Sequence, residues 1–516
     1  MNGAESLVKT LVTSGVDTCF ANPGTSEMHF VAALDHVPGI RCVLGLQENV
    51  VTGAADGYWR MKHQPAATLL HLGPGLANGA ANLHNARKAA SGIVNVVGEH
   101  ATYHLHYDAP LTSDIDGIAR PFSAWVGRAK AAHDVPKLAA EAVSVARSGS
   151  GKIATMVLPA DTAWTEVTGP APVLPVPPRA KVDDSTILAA AAALKKAGPR
   201  GMLVLGGHAL LRPCQEVASR IAAATGCKLS NPGASARMER GGDLPRTGRV
   251  PYILSQALAY LKDTDEMVLV GCRRPVAFFA YPDQPSLLTP DHCHITPVAD
   301  VDDDLLDALE RLADALKAPK TQVAGPVKLE KPGLPDGAPD LEKIAAAIAA
   351  LLPDHAIVLD ESLTSGRGIF AATEASGPHD WLQNMGGSIG YSLPMSVGCA
   401  IAEPDRKVVV LVGDGSAFYT LQALWTLARE NLNVTVVVFA NRSYNILRGE
   451  LTNVGALNPG PRAVDMLTLD RPTADWVALA KGHGVPGIRV DEMTGFCRAF
   501  KGALEHRGPQ LIELVL

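Results

Sequence analysis

The chain has 516 residues, of which 47% are hydrophobic and 19% charged, with a formal net charge of −6. That length suits roughly three domains of about 100–200 residues each, and a mildly acidic balance without basic runs excludes a nucleic-acid binder working through phosphate contacts. No apolar run approaches the roughly 20 residues that span a bilayer, so a membrane is not an expected partner. The first ten residues read as an amphipathic helix with no signal-peptide core. The eight cysteines are scattered and lack C-x-x-C spacing. Cys42, Cys272 and Cys399 have apolar neighbours, so buried thiols in a reducing cytoplasm are expected.

Two Pro-rich stretches, Thr168 to Pro178 and Ala318 to Pro339, interrupt the periodic sequence and divide it into domains over 1–167, 183–317 and 340–516. Each third alternates short Val/Ile/Leu strands with Ala-rich helices, the pattern of an α/β protein built from three doubly wound parallel sheets. In the first third, strands are predicted at Thr18 to Ala21, Cys42 to Leu46, Ala67 to Leu72, Ile93 to Gly98 and Ile153 to Leu158. Polar groups follow their ends: Asn22-Pro-Gly-Thr-Ser26, Gln47-Glu48, His71 and Glu99-His100. Such groups at the carboxyl edge of a parallel sheet form a binding crevice. The middle third has strands at Met202 to Leu205 and Met267 to Val270. Its Gly206-Gly207-His208 lacks a dinucleotide fingerprint, so a structural domain is expected there.

The last third carries the most informative stretch. A buried strand, Val408 to Val412, stops at Gly413-Asp414-Gly415-Ser416, a helix over Ala417 to Glu430 follows, and a second strand, Val434 to Ala440, delivers Asn441-Arg442-Ser443. A lone Gly-Asp-Gly is usually a turn. Here it sits where a strand meets a helix start, so Asp414, the Asn441 amide oxygen and the Ser443 carbonyl can converge beside free N–H groups that bind anions. Three hard oxygens beside a phosphate cradle suit Mg²⁺.

Gly-Asp-Gly followed one helix and one strand later by Asn resembles the thiamin diphosphate signature, and the likeness extends over nearly the whole chain. It is to the pyruvate decarboxylase and acetolactate synthase superfamily, most of all to benzoylformate decarboxylase and acetolactate synthase-like proteins. It rests on Asn22-Pro-Gly-Thr25, Leu46-Gln-Glu48, Ala54-Ala-Asp-Gly-Tyr58, Leu70-His71, Gly386-Gly-Ser-Ile-Gly390 and Ala423-Leu-Trp425. The resemblance implies an aminopyrimidine-binding first domain and a diphosphate-binding last domain, with Asp414, Asn441 and the Ser443 carbonyl holding Mg²⁺. Gly413, Gly415, Ser416 and Thr364 would lie at the diphosphate. Ile389 would bend the cofactor, and the Gly387 carbonyl would meet its exocyclic amine. Glu48 would exchange a proton with the aminopyrimidine ring. The implied reaction decarboxylates a 2-oxo acid to an enamine, which is either protonated to an aldehyde or ligated to a second carbonyl. The implied assembly is a homodimer or homotetramer in which Glu48 of one chain meets the diphosphate site of another.

His71 and Thr25 match residues of the decarboxylase pocket, but other positions depart from it. A second pocket histidine has no counterpart in Phe278-Phe-Ala-Tyr-Pro-Asp283, where Ala280 or Tyr281 falls, and Glu450 lies near a family aromatic position. Both departures argue against benzoylformate itself as substrate. His100, His104 and His106 cluster after a strand end, either as proton donors near the cofactor or, less in keeping with their spacing, as metal ligands. No motif for a flavin is present. Two competing readings are an NAD-dependent dehydrogenase, drawn from Gly73-Pro-Gly75 with Gly79, and a non-catalytic cofactor-binding protein. Pro74 and the glycine spacing count against the first. Retention of Glu48, Asp414 and Asn441 counts against the second.

Overall fold

The structure is a computed structural model that describes residues 1–321 and 330–516. Part of the Pro-rich stretch expected from Ala318 to Pro339 therefore lies outside the described residues. Three sheets carry the fold. The first contains β1 (Thr18–Asn22), β2 (Arg41–Leu44), β3 (Ala66–Leu70), β4 (Ile93–Glu99), β5 (Trp125–Arg128) and β6 (Ile153–Pro159) in the order β2-β1-β3-β4-β6-β5, all parallel. The second contains β7 (Gly201–Leu205), β8 (Lys228–Asn231), β10 (Gly248–Arg249), β11 (Glu266–Val270) and β12 (His294–Ala299), again parallel, in the order β10-β8-β7-β11-β12.

The third sheet contains β13 (Ile357–Glu361), β14 (His379–Gln383), β15 (Val408–Gly413), β16 (Val434–Ala440), β17 (Gly487–Val490) and β18 (Gln510–Val515). Its order is β17-β18-β16-β15-β13-β14-β9. Its last member, β9 (Met238–Arg240), comes from the middle third and pairs antiparallel with β14. This sheet is therefore not built from one stretch of chain. Three α/β units with parallel-dominated sheets are what the sequence pattern predicts.

The continuous apolar runs are strands because both sheet faces are covered by helices. Val408 to Val412 are completely buried, each contributing on the order of 1.5–3 kcal/mol by leaving water. In β15 and β16, Val408 lies opposite Val434 and Gly413 opposite Phe439. Adjacent strands thus end together, delivering Asp414 and Asn441 to one edge.

The first and third units are joined by two helices in backbone contact, Glu48–Lys62 and Ser392–Ala402. A Cβ on Gly398 would fall 1.8 Å from the Ala54 carbonyl oxygen, and one on Gly57 would fall 2.2 Å from that of Met395. Only glycine permits that approach. At the far end of the first helix, Arg60 and Asp56 form a pair with each side chain 1% exposed. Arg60 also donates to the carbonyls of Ala236 (3.1 Å) and Gln383 (2.8 Å), tying all three units together.

Several local expectations are corrected. The predicted helix over Ala417 to Glu430 is two short helices, Asp414–Ala417 and Ala423–Arg429. Thr420, between them, donates to the Gly390 carbonyl at 2.9 Å, so the turn docks on a neighbouring loop instead of continuing the helix. Cys42 is exposed and Cys272 half-buried, while Cys399 is buried as expected. Cys42 lies on the edge strand β2, where apolar neighbours do not guarantee cover. The strand expected to reach Leu72 stops at Leu70. Gly206 and Gly207 pack against Gly271, Cys272 and Val301, and His208 meets His63 edge to face with ring centroids 4.6 Å apart, so that turn serves packing.

Candidate active site

Asp414 starts a short helix at the end of β15 and is 4% exposed. Its Oδ1 accepts from its neighbour's N–H, Gly415 (2.8 Å), and its Oδ2 from the Arg442 N–H (2.6 Å). Asn441 Oδ1 accepts from the Ser443 N–H at 3.0 Å, and its Nδ2 reaches Ser365 Oγ at 3.4 Å. The turn between them holds Arg442 at φ +55°, a left-handed conformation that costs on the order of 1–2 kcal/mol in a residue with a Cβ. The bond from Arg442 to Asp414 offsets that strain. Asp414, Asn441 and Ser443 are thus brought together as the sequence predicts.

Burial pushes the Asp414 carboxyl up, and the Arg442 and Gly415 N–H groups oppose it only in part. A cation beside the carboxylate would restore its charge. Among the described residues there is no cluster of three or more His, Cys, Asp or Glu suited to a metal. A cation here would therefore be held by a single carboxylate together with neutral oxygens and a ligand. The neighbouring atoms fit a bound diphosphate. Ser416 Oγ is buried without a partner, and a Cβ on Gly413 would meet nothing within 4 Å. The start of the short Asp414–Ala417 helix lies beside both, with the Gly415 N–H already turned to the Asp414 carboxylate. Thr364, 9% exposed, accepts from Asn445 Nδ2 at 3.4 Å, which places it on the same rim.

The Gly386–Gly390 loop forms the opposite wall. Asn384 Oδ1 accepts from the Gly386 and Gly387 N–H groups (3.0 and 2.7 Å), and Asn85 Nδ2 donates to the Ser388 carbonyl at 2.8 Å. Glu361, fully buried at the end of β13, accepts from the N–H groups of Gly390 (2.6 Å) and Ser392 (3.0 Å). Gly387 has φ +81°. Among the described residues no hydrogen bond from the chain occupies its carbonyl, and Ile389 beside it is half-buried.

In the first unit, Glu48 is 8% exposed at the start of its helix. It does not cap that helix. Gln47 does, accepting from Asn49 N at 2.6 Å, which leaves the Glu48 carboxylate to accept from Asn78 Nδ2 at 3.0 Å. His71 Nδ1 lies 2.8 Å from Glu27 Oε2, and a Cβ on Gly24 would fall 2.2 Å from the same nitrogen. Thr25, next to Gly24, is thereby set close to His71. Burial pushes the Glu27 carboxyl up, with the Gly24 N–H and His71 opposing. Among the described residues, no hydrogen bond joins Glu48, Thr25 or His71 to the Asp414 group within one chain.

His100, His104 and Tyr107 stack on one another, with centroids 5.5 and 5.6 Å apart, and His106 stacks on Tyr107. The glycines that imitate a dinucleotide fingerprint face their own chain. A Cβ on Gly73 would overlap Ser113 Oγ (1.8 Å), and one on Gly75 would sit 3.1 Å from Glu48 Oε1, so no cradle opens there.

Glu27, Asn78, Glu361 and Asn384 hydrogen-bond to the predicted site residues or their loops, and sequence reasoning did not single them out. Glu361 alone had a signal, an acid closing an apolar strand as Glu48 does. A cavity of about 760 Å³ lies at the opposite, amino-terminal edge of the third sheet, bordered by Arg240, His379, Arg406 and Lys407. Arg406 there is paired with Asp380 and Arg507 with Asp405. The carboxyl edge, with its unpartnered hydroxyl and open turn, is the better site.

The chain is similar to known proteins along its whole length. Residues 1–119 match the family described as thiamine pyrophosphate enzyme, N-terminal TPP binding domain. Residues 367–514 match its C-terminal TPP binding domain. Across the whole chain and 99% of the relative, the sequence is 49% identical to the protein named "Putative acetolactate synthase large subunit IlvX" of Mycobacterium tuberculosis. It is 28% identical to benzoylformate decarboxylase of Pseudomonas aeruginosa, over 97% of this chain and 96% of that protein. Among solved structures, the thiamine diphosphate-dependent 4-hydroxybenzoylformate decarboxylase of Rhodococcus jostii superposes with a TM-score of 0.85 at 24% identity, covering 100% of this chain and 99% of the other.

Proposed function

The chain belongs to the thiamine pyrophosphate enzyme family and is a thiamin diphosphate-dependent enzyme, and from that premise we propose that it uses Mg²⁺ and decarboxylates a 2-oxo acid, releasing an aldehyde or joining the acyl fragment to a second carbonyl. The observation that carries this reading is Glu48, a buried carboxylate at a helix start whose capping role is taken by Gln47. A buried carboxylate that does not cap its own helix, and that accepts only from the Asn78 amide among the described residues, has acceptor sites left for proton exchange.

Asp414, Asn441 and the Ser443 carbonyl would hold Mg²⁺, and Ser416, Thr364 and the N–H groups after Gly413 would hold the diphosphate. When bound, thiamin diphosphate supplies the electron sink that accepts the pair released as CO₂ departs. The remaining work falls to the protein. Ile389 and the Gly387 carbonyl orient the cofactor between the walls, and Glu48 holds or gives up a proton at its carboxylate oxygens. His71, positioned by Glu27, and Thr25 meet the substrate carboxylate and handle the proton of the product. Because among the described residues no hydrogen bond joins Glu48 to the Asp414 group, a second copy would complete the site, and the active form would be at least a dimer in the reducing cytoplasm. No helix among the described residues is long and apolar enough to cross a membrane.

The test is incubation with thiamin diphosphate, Mg²⁺ and a panel of 2-oxo acids, following CO₂ and products, with Glu48→Gln as control. CO₂ release that disappears in the variant supports the proposal, and the identity of the product decides between release and ligation. Failure of every 2-oxo acid in protein that binds the cofactor calorimetrically would overturn the substrate class.

A further inference from the structure

Two positions remain unexplained by the site described so far, Tyr281 and Glu450, and the structure joins them. Glu450 lies on the Asn445–Asn453 helix, which rises directly from the crevice. Asn445 touches Thr364, and the ring of Tyr444 lies 2.6 Å from where a Cβ on Gly415 would be. The Glu450 carboxylate accepts from two phenols of the middle unit, Tyr281 at 2.9 Å and Tyr252 at 3.3 Å. The Tyr252 ring is 5.6 Å from that of Phe278. Phe278 in turn leans over the opposite wall, its ring 2.9 Å from where a Cβ on Gly387 would be. The middle unit therefore roofs the crevice from Gly387 to Glu450, and the carboxylate is a charged group set among the aromatic rings of that roof.

The roof is not closed. Tyr252 is 45% and Phe278 60% exposed, and Glu450 is half-buried. Burial and the neighbouring carboxylate push both phenols up, so they stay donors at neutral pH. A carboxylate has about four acceptor sites, and two phenols leave the others for a ligand. The surface presented to the far end of a substrate is an anion flanked by aromatic rings. It would accept a hydrogen bond from a hydroxyl or a cation, leave a bare aryl or alkyl end without compensation, and repel a second carboxylate.

Resting on the 2-oxo acid reading above, we propose that Glu450, held by Tyr252 and Tyr281, is a specificity-determining residue that selects 2-oxo acids carrying a hydrogen-bond donor, a hydroxyl or guanidinium, at the end remote from the reacting carbonyl. The chain would discriminate through a polar contact, which separates ligands more sharply than an apolar pocket separates chain lengths.

The test compares kcat/KM for 5-hydroxy-2-oxopentanoate, 5-guanidino-2-oxopentanoate, 2-oxohexanoate, 2-oxoglutarate and benzoylformate on the wild type, Glu450→Leu and Glu450→Gln. A parallel calorimetric titration uses the corresponding unreactive 2-hydroxy acids. A donor-bearing acid should exceed 2-oxohexanoate by about tenfold or more on the wild type. Glu450→Leu should erase or reverse that ratio in both turnover and binding, and Tyr281→Phe should reduce it by a smaller factor. Thiamin diphosphate affinity should be unchanged in all variants, which also reports that they fold. A wild-type preference for 2-oxohexanoate, or a ratio unmoved by Glu450→Leu in protein that still binds cofactor, would overturn this inference while leaving the decarboxylase reading intact. Turnover of none of the acids by the wild type would overturn the reading itself, and this inference with it.

Discussion

Replacing Ser416 by alanine should move the apo and loaded protein in opposite directions. Ser416 is 1% exposed and its hydroxyl has no partner among the described residues. A buried hydroxyl without a hydrogen bond costs on the order of 1–3 kcal/mol, and removing it with little change of shape is neutral or stabilising. The apo Ser416→Ala protein should therefore melt at the wild-type temperature or slightly above it. Once a diphosphate is bound, the same hydroxyl would donate to a charged oxygen, a bond worth about 1.5–3 kcal/mol. Its loss should weaken cofactor binding by roughly 10- to 150-fold, at 1.4 kcal/mol per factor of ten. Calorimetry gives the affinity, and thermal melts with and without thiamin diphosphate and Mg²⁺ give the two stabilities. The cofactor-induced rise in Tm should shrink in the variant. An apo protein destabilised by more than about 1 kcal/mol with unchanged affinity would show that the hydroxyl is structural, and would remove it from the diphosphate site.

Further outcomes follow from packing and charge. Gly398→Ala puts a methyl 1.8 Å from the Ala54 carbonyl oxygen, and overpacking of this kind should lower stability by about 1–3 kcal/mol, read as a lower urea midpoint. Arg60→Met leaves Asp56 charged and buried, with its partner's side chain 1% exposed in the native protein, and should cost on the order of 3–5 kcal/mol. Burial holds His379 down from 6.5 to about 4. The unfolded chain then binds more protons than the folded one between those values, so stability is full above about pH 6.5 and falls toward pH 4, by up to about 3 kcal/mol at 1.36 per pH unit. Urea midpoints between pH 7.5 and 4.5 should show a drop that His379→Gln diminishes; equal drops in the two proteins would assign the effect elsewhere.

The parts of the site legible in the sequence are those that chain direction alone determines. Parallel strands of like length end on one edge, so Asp414 and Asn441 could be placed together from Val408–Val412 and Val434–Ala440 without knowing any contact. Glu48 was legible as an acid at a strand-helix junction, but its freedom from capping was not, because that depended on Gln47 turning its side chain back to Asn49 N. The break after Ala417 was hidden for a related reason. The residues from 421 to 430 are mostly good helix formers, while Phe418, Tyr419 and Thr420 are weaker ones, and Thr420 docks on Gly390, 30 positions away, where the first turn ends.

The least legible feature was the relation between the two places where the sequence departs from the decarboxylase pattern. Read separately, a missing histidine around Tyr281 and an acid at Glu450 each look like the loss of a pocket residue. They are 169 positions apart and bonded to each other, so the two departures belong to one contact. The half-buried carboxylate accepts from the phenol, and each fills part of the other's hydrogen-bonding capacity. Together they make a stable polar wall. On the proposed reading, a crevice walled in this way would take a substrate that differs at its far end, while Asp414, Asn441 and Glu48 would serve the cofactor beneath it.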